Sequence, residues 1–253
     1  MQNTGLIDSA EKIKELEEAA SEGYARAQFN LGVCYEQGKW VEADLEKAIE
    51  WYKKAAAQGN LNACYIMGNR YYNGDGVEQD LEKAFDNFKI AAQKGHVIAQ
   101  QFLGECYTFG QGVEQNLEEA AEWYLKAAMR GALEAQVNLG ICYSQGLGVV
   151  QNPEEAVKWF KEAAEAGHPA GKMNLAISYF EGEGLEQDKE KAVALLTEAS
   201  EYMSDAKFLL AQCYENGEGV QQDLEKAKEL YQQAADNGIV EAMEMITKLN
   251  EAE

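Results

Sequence analysis

The 253 residues are 46% hydrophobic and 26% charged, enough apolar side chain for an ordered core and too much for a disordered chain. No apolar run approaches the ~18 residues that a membrane span requires. Acidic side chains outnumber basic ones 44 to 22, and the resulting net charge of −22 argues against nucleic acid or an anionic membrane as partner, favouring a neutral or basic protein.

In chain order, the first residues, Met-Gln-Asn-Thr-Gly-Leu-Ile, lack the basic start and apolar stretch of a secretory signal. The expectation is a cytoplasmic protein, or a secreted or periplasmic one only if a signal has been removed. Residues 7–23 read as one capping helix, with Asp8 and Glu11 as a capping box and Ile13, Leu16, Ala19 and Ala20 on its buried face. From residue 24 the chain repeats every 36 residues, in blocks 24–59, 60–95, 96–131 and 132–167 that end on Gly59, Gly95, Gly131 and Gly167. Two looser blocks follow, 168–203 and 204–238, with one residue lost between them. Residues 239–253 read as a last helix that buries Ala242, Ile246 and Leu249. A period of this length marks a solenoid of stacked supersecondary units.

Block 60–95 shows what one unit builds. Ala63, Met67 and Tyr71 recur at helical spacing, Gly74 stops that helix, and Asp80 is placed to cap a second one carrying Ala84, Phe88, Ala91 and Ala92 on one face. Elsewhere Asn152-Pro153-Glu154-Glu155 supplies a cap followed by proline at the first helical position. Gly32, Gly68, Gly104 and Gly140 fall in mid-helix, at a cost of about 1 kcal/mol each relative to alanine. Close approach of a neighbouring helix is the expected compensation, with Ala48, Ala84, Ala120, Ala156, Ala192 and Ala227 as its small partners. The chain thus reads as all-α, a single array over 1–253 of six helix pairs and two capping half-repeats, roughly fourteen helices, without a second domain.

The run Ala135-Gln-x-x-Leu139-Gly140-x-x-Tyr143, Gly146-x-Gly148-Val149, Trp159-Phe160 and Ala163-Ala164-x-x-Gly167 resembles the Sel1-like repeat, a relative of the tetratricopeptide repeat. The resemblance covers residues 8–249. It implies a right-handed α/α superhelix, with the first helix of each pair on the concave side, and a role as adaptor or scaffold. Three places depart from the pattern: Lys39-Trp40 replaces the Gly-x-Gly turn, Gly171 replaces an alanine, and Met203 stands where a turn glycine belongs. The last, with the lost residue, predicts a local change of pitch near 200–206.

Little in the chain points to catalysis. Cys34, Cys106, Cys142 and Cys213 share one repeat position, occupied by Arg70 and Ser178 in the other two copies, and Cys64 makes an odd fifth. Equivalent positions in adjacent units lie about 9–10 Å apart, beyond disulfide reach, so free buried thiols are expected. Some secreted family members bridge the two helices of a repeat, but the second helices here contain no cysteine. His96 and His168 stand two units apart and cannot share a proton or a metal. The Gly-x-Gly turns at 74–76, 110–112, 146–148, 182–184 and 217–219 follow helices and lack a Lys-Ser/Thr, so they read as caps rather than phosphate loops. Asp75, Glu78 and Asp80 lack the spacing of a calcium loop. No cofactor or metal is expected, and no activated nucleophile supports the β-lactam hydrolysis associated with some secreted members.

Three positions per first helix face away from the Ala/Leu/Tyr stripe: Phe29, Val33, Glu36; Tyr65, Asn69, Tyr72; Gln101, Glu105, Thr108; Val137, Ile141, Ser144; Met173, Ile177, Phe180; and Phe208, Gln212, Glu215. None is basic, which disfavours a clamp for a C-terminal carboxylate, and Arg70 is expected to pair with an acidic neighbour. Tyr65, Asn69, Tyr72, Val137, Ile141, Met173, Ile177 and Phe180 are the candidate partner-binding residues, centred on repeats 4 and 5. The competing reading packs the same side chains onto neighbouring first helices. Two classes of function remain: a non-catalytic protein-binding scaffold, with a cytosolic inhibitor or immunity-type protein for a toxin or effector as alternative, or an enzyme of hydrolase type whose site the sequence does not reveal. The partner envisaged offers an apolar segment with a basic flank.

Overall fold

The computed structural model describes residues 4–251, with side chains from residue 11 onward. Among the described residues there are fourteen α-helices and no strand. They are α1 (Thr4–Ser21), α2 (Ala25–Gln37), α3 (Leu45–Ala57), α4 (Leu61–Asn73), α5 (Leu81–Gln93), α6 (Val97–Phe109) and α7 (Leu117–Ala128). The series continues with α8 (Leu133–Gln145), α9 (Pro153–Glu165), α10 (Pro169–Glu181), α11 (Lys189–Ala199), α12 (Ser204–Asn216), α13 (Leu224–Asp236) and α14 (Val240–Glu251). The chain divides into two compact units, one ending at Ala127 and the other starting at Ala128. In each, even-numbered helices are the first members of a pair and odd-numbered helices the second.

Helix boundaries follow from local chemistry. The carboxylates of Asp44, Asp80, Asp188 and Asp223 accept from the backbone N–H three residues on, and Asn152 does the same at 3.1 Å ahead of Pro153. First helices end on glycines in the left-handed conformation, such as Gly74 at φ 79°, whose N–H bonds back to Arg70 O. A glutamine clasp absent from the sequence expectations closes five of the six turns, the first repeat having Ala43 in its place. Gln79, Gln115, Gln151, Gln187 and Gln222 donate to the carbonyl seven residues earlier, at 2.7–2.8 Å. Asp8 lies inside α1, which starts at Thr4, so it does not cap that helix as expected; its side chain lies outside the described ones.

The compensation for the mid-helix glycines differs from the expectation. A Cβ at Gly68 would stand 2.6 Å from the Phe88 ring; Gly32, Gly104 and Gly140 meet Tyr52, Tyr124 and Phe160 in the same way. The alanines are fully buried beside this contact, but the group seated on each glycine is the ring four residues after the alanine. In the sixth repeat Ala211 takes the glycine position opposite buried Tyr231, so the ring can also accommodate a methyl group.

Within the unit ending at Ala127, Tyr52, Met67, Phe88, Leu103 and the interleaved alanines form one core, with Ile13, Ala20, Ala27, Leu31 and Cys34 as its continuation under α1. The other unit buries Leu196, Leu210, Leu230 and Tyr231 in one cluster and Phe160 with Leu175 in another. Two departures are resolved locally. Trp40 adopts φ 66°, the conformation that glycine has at the corresponding turns. At Met203 the chain turns without positive φ: α11 stops at Ala199, Ser200 remains in the right-handed region, and Met203 N–H bonds to Ala199 O.

Candidate functional site

The first-helix positions divide into two groups by how they are engaged. In the unit ending at Ala127, Tyr65 stacks on the His96 ring at 4.4 Å and lies beside Phe88 and Phe102, while Tyr72 donates to Gln111 Oε1 at 3.2 Å and meets Phe102 edge-on. Phe88 and Phe102 stack at 5.1 Å with an interplanar angle of 11°. Tyr65 and Tyr72 are therefore half-buried beside an aromatic core, with Asn69 half-buried between them. Glu36 is committed to Tyr52, whose hydroxyl donates to it at 2.7 Å, and to Arg70. That ion pair reaches back 34 residues to the preceding repeat.

In the other unit Val137 is 5% exposed and presents no surface, which removes it from the candidates. Ile141 is half-buried against Phe160 and Leu175, and Met173 against the neighbouring cluster. Ile177 and Phe180 line a cleft of about 410 Å³ between α10 and α12, with Leu209, Gln212 and Asn216 on the opposite wall and Ala176, Leu196 and Cys213 at its base. The cleft lies on repeats 5 and 6, whereas the sequence expectation centred on repeats 4 and 5.

The cleft has an identifiable cause. Second helices carry Tyr52, Phe88, Tyr124, Phe160 and Tyr231 at one repeat position, and Leu196 is the exception. Where the ring is tyrosine, its hydroxyl meets a polar partner on its own first helix: Glu36, Thr108 at 3.0 Å, or Glu215 at 2.5 Å. Opposite Leu196 stands Phe180, which has nothing to accept with. On the next helix Leu209 stands where repeat 3 has Phe102, a position held by Asn30, Ile66, Asn138 and Asn174 in the other copies. The stacked ring pair of repeats 2 and 3 is replaced by two leucines, and space opens between them.

Charge around the cleft is acidic. Lys189 lies 4.8 Å above the Phe180 ring and pairs with Glu218 at 2.8 Å, which neutralises one rim carboxylate. Glu181 is exposed and carries no ion pair among the described residues. All five cysteines are free and buried, and burial pushes the thiols up, Cys106 to about 12 and Cys142 and Cys213 to about 11. Acidic neighbours, Glu105 and Glu218, add to the rise at Cys106 and Cys213. His96 caps α6 by accepting from Ala99 N–H at 3.2 Å, and His168 pairs with Glu134 at 2.7 Å. Among the described residues no group of His, Cys, Asp or Glu is arranged to hold a metal ion, and no helix is long and apolar enough to cross a membrane.

Helix pairs with glycine turns, a ring seated on a mid-helix glycine and an open first-helix face define an α/α solenoid of the tetratricopeptide-like class. The Sel1 repeat description matches six segments, 25–60, 61–96, 97–131, 133–168, 169–201 and 204–239, and the chain belongs to that family. Proteins of this family are in general non-catalytic protein-interaction scaffolds. Among solved structures the chain is similar to c5321, described as a protective antigen of uropathogenic Escherichia coli with an SLR fold, at 34% identity and a TM-score of 0.80. That match covers 92% of this chain but only half of the E. coli protein. A Sel1 repeat protein from Oxalobacter formigenes matches at 29% identity and a TM-score of 0.76, covering 90% of this chain and 96% of that one. Immunity protein Pa5087 from Pseudomonas aeruginosa, at 23% identity and a TM-score of 0.50 over 72% of this chain and 67% of its own, shares the fold alone. No curated protein matches the chain.

Proposed function

We propose that this chain is a non-catalytic scaffold that holds a protein partner on the first-helix face of repeats 5 and 6. The observation that carries this reading is the cleft walled by Ile177, Phe180 and Leu209, an apolar recess on an otherwise strongly acidic protein. Its acidic rim suits a partner with basic residues beside an apolar contact, and the charge of −22 accelerates encounter with such a partner. The non-catalytic part is supported by the state of the nucleophiles: the thiols are buried and their deprotonation is suppressed.

The test is capture from native lysate by the immobilised chain, run beside an Ile177→Glu variant of matched melting temperature. A protein retained by the parent and lost with the variant, more weakly held as salt rises, is the expected result. Equal retention by both would place binding elsewhere, and recovery of no protein at all would sink the scaffold reading.

A further inference from the structure

The second and third repeats contain a filled version of the open cleft. In repeat register Phe88 corresponds to Leu196, Phe102 to Leu209, Tyr72 to Phe180 and Tyr65 to Met173. Four rings linked through Phe102, with the Phe88–Phe102 pair stacked at 5.1 Å, correspond to one ring, two leucines and a methionine. The helix pairing around the two places follows the same plan, so the residues removed indicate the shape and chemistry of what the vacancy accepts. A planar ring sliding between Leu196 and Leu209 restores the stacked layer, with the Phe180 ring beside it. Among the described residues, the cleft's unpaired rim charge is the carboxylate of Glu181.

We infer that the cleft between α10 and α12 is a socket for a single aromatic side chain of the partner, with an adjacent lysine or arginine of that partner meeting Glu181. This specifies the anchor within the scaffold reading and rests on it. An aliphatic side chain fills the recess less completely because it cannot lie flat between two leucines and an aromatic edge. An acidic neighbour of the anchor is repelled by Glu181 and by the field of the protein.

The socket is tested directly with short probes and methyl-labelled protein, reading the Ile177, Leu196 and Leu209 methyl resonances. Ac-Phe-Lys-NH2 should shift all three saturably. Ac-Phe-Glu-NH2 should bind about fivefold more weakly, the loss expected for one rim charge, and Ac-Ala-Lys-NH2 should leave the methyls in place. Leu196→Phe, which rebuilds the ring found in the other repeats, should fold normally and abolish the shifts. Leu209→Phe fills the same space from the other wall and serves if the first variant is misfolded. Absence of methyl shifts with every probe, equal shifts from Ac-Leu-Lys-NH2, or undiminished binding by the filled variants would overturn the inference. The two claims fail separately: if Leu196→Phe still captures the partner that Ile177→Glu loses, the scaffold stands and the aromatic socket does not.

Discussion

Residue by residue, burial decides which groups can act. Tyr231 and Leu196 hold the same place in successive repeats, yet one carries a hydroxyl satisfied by Glu215 and the other leaves a recess. The five thiols follow the same logic. Their folded pKa values lie above the ordinary 9.0, so the protonated form is favoured by folding, and that contribution is complete below pH 9. As pH climbs from 9 towards 11–12 the unfolded chain deprotonates first, and the contribution is lost. Native protein at pH 8 is therefore expected to react with a thiol reagent far more slowly than denatured protein, which consumes five equivalents without prior reduction. Urea midpoints should be flat to about pH 9 and fall beyond it. Fast native labelling, or fewer than five equivalents after denaturation, would contradict this.

At the scale of helices and turns, most of the architecture was legible because each boundary is set by a short-range rule. Asp80 and Asn152 accept from the N–H three residues on, and Gly74 takes the left-handed conformation. Legibility ended where a neighbour decides. The seat of the mid-helix glycines was assigned to alanines because spacing gives the face but not which side chain reaches furthest; the long ring beyond the alanine makes the contact. Val137 was placed on a surface by the 100° rule alone, and packing buries it. The turn at Lys39-Trp40 was flagged as irregular, and Trp40 pays for it with φ 66°. That conformation is unfavourable by about 1–2 kcal/mol for a residue with a Cβ. Trp40→Gly should accordingly raise the urea midpoint although it removes a large side chain, and a clear fall would mean that the indole packing outweighs the backbone strain.

For the molecule as a whole, periodicity carried both the helix-pair count and the likeness to the family whose repeats match six segments of the chain. The lining of the candidate cleft was half legible. Ile177 and Phe180 were found from the orientation of the first helices, whereas Leu196, Leu209 and Asn216 were missed. Leu196 was nevertheless visible in the sequence as the one non-aromatic residue in the series Tyr52, Phe88, Tyr124, Phe160, Leu196, Tyr231. The features shared by every repeat set the helix pairs, whereas Leu196 departs from the ring that the other five copies place there and opens a recess. The most direct measurement of this account is site-specific photocrosslinking in native lysate, with the crosslinker in place of Gln212 on the cleft wall or of Glu165 on the exposed side of α9. The account predicts a discrete protein adduct from position 212, reduced by Leu196→Phe, and none from position 165. Adducts from position 165 alone, or from both positions alike, would contradict it.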